Sequence, residues 1–188
     1  APYFISTVIL VSMTMLLLSP RLGVVNLGLQ ALGQQPINFL GLPDQFPGIF
    51  VWTGVWQFSG YAAVIYLAAL AGIDPQLHEA AKIDGASRLQ KILNVDLPGI
   101  MPVILVILVL NAGSLLAVGF EKVYLLQNPL NLSTSEVIST YVYKIGLLNA
   151  NFSFATAVGL FNSVVNMILL VIVNTLARRV SNNEAGLW

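Results

Sequence analysis

The sequence predicts an all-α, polytopic membrane protein, and three observations predict it. Only 9% of its 188 residues are charged and 57% are hydrophobic, whereas a soluble domain carries about 25% charged residues to face water. Four runs, Ala1–Pro20, Gln45–Ile73, Leu97–Phe120 and Ile145–Ala177, contain no Asp, Glu, Lys or Arg. Seven of the sixteen charges instead crowd into the 23 positions from Asp74 to Asp96. Formal net charge is zero, so nothing points to a nucleic-acid partner. The chain has no cysteine, which excludes a disulfide framework and a thiolate metal site. It begins inside an apolar run with no initiator Met and no basic n-region. A signal peptide is therefore not expected, and N-terminal sequence is expected to be missing.

Four spanning helices are placed in order. The first, Pro2–Leu18, is just long enough at 1.5 Å per residue and stops before Pro20. Arg21–Gly48 follows, rich in Gly, Pro, Asn and Gln, and reads as loop and short surface helix. The second span is Phe50–Gly72. The third, Leu97–Phe120, tolerates Pro98 and Pro102 in its first turns. Residues 121–151 form an extracytoplasmic loop in which Ser133 and Glu136 have capping-box spacing. Val137, Ile138, Tyr141, Val142 and Ile145 then share one face, as for a helix lying on the membrane surface. Sequons at Asn131 and Asn151 match often by chance and carry no weight. The fourth span is Phe154–Ala177. Lys82, Arg88, Lys91, Arg178 and Arg179 flank one side and Arg21, Lys122 and Lys144 the other. The more densely basic side, with residues 74–98 and the C-terminal tail, is expected in the cytoplasm.

Residues 74–98, "DPQLHEAAKIDGASRLQKILNVDLP", read as two short helices and a turn. Asp74 caps a helix with Pro75 at its first position. Gly85 suits the left-handed conformation that ends it. A second helix, about Ser87–Asn94, precedes Leu97-Pro98. Ala80, Ala81 and Gly85 permit close approach by another surface, and Glu79 offers that surface a carboxylate. Chemistry alone leaves two readings open: a docking elbow, or a loop charged for topology only.

Glu79-Ala80-Ala81, three residues, Gly85, nine residues, Val95, one residue, Leu97-Pro98 resembles the EAA loop of ABC importer permeases, with Val for Ile at 95 the one departure. The resemblance implies that Glu79, Ala80, Ala81, Asp84, Gly85, Leu97 and Pro98 couple the chain to an ATPase. It also implies a type I core of six spans, of which these are the last four. "IYLAALAGIDPQLHEAAKIDGAS", "GFEKVYLLQNP", "TYVYKIGL" and "ATAVGLFNSVVN" resemble carbohydrate permeases, in particular the aldouronate and oligouronide type, over nearly the whole chain. Those permeases commonly carry Tyr where this chain has His78; beside Glu79 it reads as a docking contact rather than a pH sensor. The implied partners are a second permease subunit, two ATP-binding subunits, an extracytoplasmic solute-binding protein, a sugar substrate and membrane lipid. The implied location is the bacterial cytoplasmic membrane. No G-x-x-x-x-G-K-[ST] is present, so ATP and Mg are expected on the partner ATPase subunits and the chain itself is not expected to be an enzyme.

Polar residues inside spans face a cavity or another helix. Trp56, Gln57, Phe58 and Tyr61 on the second span, and Asn111, Ser114 and Leu115 on the third, sit at comparable depths from the cytoplasmic ends. They suit a sugar pathway, aromatic faces against C–H surfaces and amides toward hydroxyls. Interhelical hydrogen bonding is the competing reading, and it is preferred for Asn162, Asn166 and Asn174 of the last span. Two alternatives to a sugar importer are a permease for amino acids, peptides or phosphate, and a motor-free channel or scaffold.

Overall fold

A computed structural model describes residues 2–116 and 118–180. All regular structure among them is helical, and three helical stretches are long and apolar enough to cross a membrane: Pro43–Ala71, Arg88–Ala112 and Phe152–Arg179. Few of their side chains are buried within the chain, as suits helices surrounded by lipid or by other helices.

The first expected span is shorter than its sequence suggested. A 3₁₀ turn, Pro2–Phe4, precedes helix α1, Thr7–Leu17. Ser6 caps α1, its hydroxyl accepting from the Ile9 N–H at 3.4 Å. The 11 residues of α1 rise about 16 Å, half of a ~30 Å hydrocarbon core. Helix α2 is Val24–Ala31 and α3 is Phe46–Ala71. Helix α4 is Pro75–Ile83. The third span also differs at both ends. Helix α5, Arg88–Lys91, runs through a π-helical turn, Ile92–Asp96, into α6, Leu97–Ala112, so that Arg88–Ala112 is one uninterrupted rod. Pro98 has no N–H for the Asn94 carbonyl, and the wider turn carries the helix past that gap: the Leu97 N–H donates to Ile92 O, five residues back. At the other end the helix stops at Ala112 rather than Phe120, in a turn that opens with Gly113 and Ser114.

Three short helices follow, α7 (Phe120–Leu126), α8 (Leu132–Ser135) and α9 (Ile138–Val142), the last continuing as a π turn, Tyr143–Leu148. Helix α10 is Phe152–Val180. The expected capping box is not made: Asn131, not Ser133, precedes α8. The Glu136 carboxylate instead accepts from Thr140 Oγ1 and from Lys144 Nζ at 2.7 Å. Along α9 and the π turn Thr140 and Gly146 are buried, while Ile138 and Tyr141 of the expected membrane-surface face are exposed.

The described residues fall into two compact units, one from within 1–60 and 117–160, the other from within 61–116 and 161–188. In the first, α1 packs on α7, and Val11, Phe46, Val123 and Leu126 form the core. Two buried asparagines hold its loops. Asn26 Nδ2 donates to the carbonyls of Leu18, Ser19 and Ile37, and its Oδ1 accepts from the Ile37 N–H at 2.7 Å. Asn131 Nδ2 donates to Leu40 O and Leu126 O, while its Oδ1 accepts from the Asn128 N–H and the Ser135 hydroxyl. Each offers the backbone a side-chain partner where no ladder exists. In the second unit, Leu105 and Val109 of α6 pack with Ala177 and Val173 of α10.

Candidate functional site

Residues 74–98 are held in shape by their own side chains. Asp74 Oδ1 accepts from the Gln76 N–H at 2.9 Å, and Pro75 takes the first helical position. Helix α4 closes in a Schellman arrangement, with the Gly85 N–H to Lys82 O at 3.2 Å and the Ala86 N–H to Ala81 O at 2.9 Å. Gly85 makes that possible with φ +73°, a region that costs other L-residues about 1–2 kcal/mol. Two residues later Ser87 starts α5 through a full capping box. Its hydroxyl accepts from the Gln90 N–H, and its own N–H donates to Gln90 Oε1 at 2.8 Å. Finally His78 Nε2 lies 3.4 Å from Asp96 Oδ1, joining α4 to the π turn.

What the elbow presents outward is chemically specific. Glu79, Ala80, Asp84 and Gly85 are exposed, Ala81 is half-buried, and Leu97 and Pro98 are exposed at the root of the rod. Ile83 is 86% exposed at the end of α4. Among the described residues no ion pair or hydrogen bond occupies the Glu79 carboxylate. A capped scaffold thus displays a free carboxylate, small residues and an exposed Ile together.

The expected pathway residues are not gathered so tightly. Trp56, Gln57 and Phe58 belong to the first unit, Tyr61, Asn111, Ser114 and Leu115 to the second. Gln57 is buried and donates to Ile5 O at 3.1 Å, so one of its amide hydrogens pins the chain ahead of α1. Phe58 packs edge-on to Tyr3 with ring centroids 6.0 Å apart. Trp56 borders a cavity of about 320 Å³ with Leu10, Met13 and Thr14. Asn111 lies in the final turn of α6, and Ser114 lies beyond the helix, its hydroxyl donating to Asn111 O at 3.1 Å.

A polar group that sequence reading treated only as a flanking charge is Lys122. It is 7% exposed. Its ammonium donates to Phe50 O at 2.9 Å and stands 4.8 Å from the Phe50 ring centroid. Burial pushes its pKa down to about 8. It borders a cavity of about 420 Å³ with Thr7, Gln57, Phe58, Phe120 and Glu121. The signal that it faces inward is its partner 72 residues earlier, which no local pattern reveals. Glu136 feels partial burial, which works to raise its pKa, but hydrogen bonds from Lys144 and Thr140 and the Lys144 charge hold it below the usual carboxylate range. Both groups lie outside the three spans. Asn131 is wholly buried, which removes the first sequon as a glycosylation site.

A family profile described as binding-protein-dependent transport system inner membrane component matches residues 1–182. The chain is 43% identical over 187 residues to the Polygalacturonan/rhamnogalacturonan transport system permease protein YteP of Bacillus subtilis (strain 168), covering 100% of this chain and 58% of that protein. It also superposes on a chain of a bacterial alginate ABC transporter crystallised with an alginate pentasaccharide-bound periplasmic protein. The TM-score is 0.94 and the identity 41%, over 99% of this chain and 64% of the other. A second structure, of a bacterial ABC transporter involved in import of the acidic polysaccharide alginate, gives a TM-score of 0.92 and 42% identity, over 95% and 62%. The chain therefore spans about three fifths of the length of these relatives.

Proposed function

This chain belongs to the family of binding-protein-dependent transport system inner membrane components, and on that premise we propose that it forms part of a permease subunit of an ATP-driven importer of oligosaccharides. The observation that carries the proposal is the elbow, pre-shaped by caps at both of its helices and presenting an exposed Gly85 and a Glu79 carboxylate that no described residue engages. The sugar class rests on the likeness to a polygalacturonan/rhamnogalacturonan permease and to alginate transporters.

In this reading residues 74–98 dock on a cytoplasmic ATP-binding subunit, with Glu79 meeting a cation of that subunit and Ala80, Ala81 and Gly85 allowing close approach. On the same reading the elbow and C-terminus face the cytoplasm, and the excess of Lys and Arg flanking that side supports the orientation. ATP and its Mg ion sit on two such subunits, and a second permease completes the path from an extracytoplasmic solute-binding protein. Closure of the ATPase pair would displace the elbow. Because α5, the π turn and α6 form one rod, displacement at Arg88 is carried along the third span instead of being lost in a loop. The membrane domain then exchanges between two orientations biased by nucleotide. Trp56, Gln57, Phe58, Tyr61, Asn111, Ser114 and Leu115 are assigned to the sugar path.

The test is to reconstitute the full-length permease with its partner permease, ATPase and binding protein, and to follow uptake of an oligogalacturonate. Glu79→Lys and Gly85→Val are expected to cut ATP-driven uptake about tenfold or more and to release the ATPase during purification. Retention of both properties in both variants would reduce the elbow to a topological loop.

A further inference from the structure

Within the first unit, the cavity of about 420 Å³ between α3 and α7 is large enough for a sugar residue. Its lining residues include three phenylalanines, Phe50, Phe58 and Phe120, together with Thr7, Gln57 and Lys122. Rings of this kind stack on the C–H face of a sugar, and an ammonium recognises an anion. We propose that this cavity is a subsite for a carboxylated sugar unit and that Lys122 is the counter-ion for its carboxylate.

An ammonium has three N–H donors. Lys122 directs one to Phe50 O, and among the described residues no second acceptor and no carboxylate is paired with it. Gly54 lets the ammonium lie close against α3: a Cβ there would stand 3.4 Å from Nζ. A buried cation with no anionic partner among the described residues is costly, and its lowered pKa registers that cost. An entering carboxylate would supply the missing acceptors and charge at once. Glu121, next along α7, is the one other charged group on this wall. It lies about 100° around the helix from Lys122, exposed where Lys122 is buried. The groups contributed by α3 and by Thr7 of α1 carry no charge.

The inference rests on the sugar-importer reading and is separable from it. In proteoliposomes holding the complete transporter, uptake of an oligogalacturonate is compared with uptake of its carboxyl-reduced, neutral counterpart. Lys122→Met is expected to lower the acid-to-neutral ratio about tenfold or more, and Lys122→Arg to keep it within about threefold. In wild type the ratio should also fall as pH rises through about 8, where Lys122 loses its proton. It should stay flat in the Arg variant. An unchanged ratio in Lys122→Met, or an equal loss of both sugars, overturns the subsite and leaves Lys122 a purely structural pin. If Lys122→Met fails to assemble, the wild-type profile decides: a ratio flat from pH 7 to 9 overturns it. A wild-type transporter that imports only the neutral sugar overturns the subsite alone, whereas one that imports no saccharide overturns the importer reading with it.

Discussion

The elbow at 74–98 and the α7–α9 region both depend on polar side chains, yet they use them in opposite directions. The elbow spends its polar groups on its own ends. Asp74, Ser87 and Gln90 satisfy helix termini two or three residues away, and Glu79, Lys82, Asp84 and Arg88 are exposed. The α7–α9 region sends its polar groups inward and far back along the chain: Lys122 to Phe50, Asn131 to Leu40, Thr134 to Pro43, at separations of 72 to 91 residues. The elbow leaves its outer surface open, whereas the α7–α9 region is closed by long-range bonds. On the proposed reading, a segment that grips a separate subunit keeps its shape locally and leaves its surface free. A segment that ties helices together turns its polar groups to distant backbone.

That contrast makes quantitative demands. The largest effect is expected in the closed region. Asn131→Ala removes a wholly buried amide, strands the Leu126 carbonyl and takes the Oδ1 acceptor from the Asn128 N–H and the Ser135 hydroxyl, which should cost about 3 kcal/mol or more and lower the thermal midpoint of the purified transporter. The elbow should answer in function instead. Glu79→Lys is expected to cut ATP-driven uptake about tenfold, equivalent to about 1.4 kcal/mol, with the thermal midpoint unchanged. A large loss of stability there would break the distinction. Asp74→Ala deletes one cap and should destabilise α4 by about 1 kcal/mol, read as faster amide exchange over 75–83 with no change at 120–148. The smallest effect is the Glu136–Lys144 pair. The Glu136 carboxyl is held below its unfolded value, so its contribution is present above pH 4.5 and is lost as pH falls through the lower folded value. For a largely solvated pair the amount is roughly 0.2–1 kcal/mol, and Glu136→Gln should flatten the acid limb of a stability profile by no more than that.

The same contrast explains what could be read from the sequence. The elbow was legible almost atom by atom. The Asp74 cap, Pro75 at the first position and Gly85 at the helix end all rest on contacts a few residues apart, and the motif of fixed spacing fell on them. Its second helix was misjudged in one respect: Pro98 suggested a new start, whereas the π turn lets α5 run into α6. The spans were legible as apolar runs but not in their limits. Apolarity continues beyond Ala112, and nothing in it marks the turn at Gly113–Ser114. Likewise Pro2–Phe4 is apolar enough for a span yet folds as a 3₁₀ turn apart from α1. In the α7–α9 region the pattern misled, because Ser133 and Glu136 had capping spacing but Asn131 precedes α8 and Glu136 turns forward to Thr140 and Lys144. Lys122 looked like a topology charge because its acceptor is a backbone carbonyl on another helix, which has no signature in sequence.

The central claim, that the elbow is a docking surface, is tested most directly by proximity. The chain contains no cysteine, so Ile83→Cys places a single thiol on it at a site 86% exposed in the wild type, and a photoreactive maleimide can be attached there. In the assembled transporter, illumination should join this chain to the ATP-hydrolysing subunit, with a yield that changes when nucleotide is added. The same probe at Ile138→Cys, on α9, should not reach that subunit. A cross-link absent from position 83, or equal at both positions, would contradict the account.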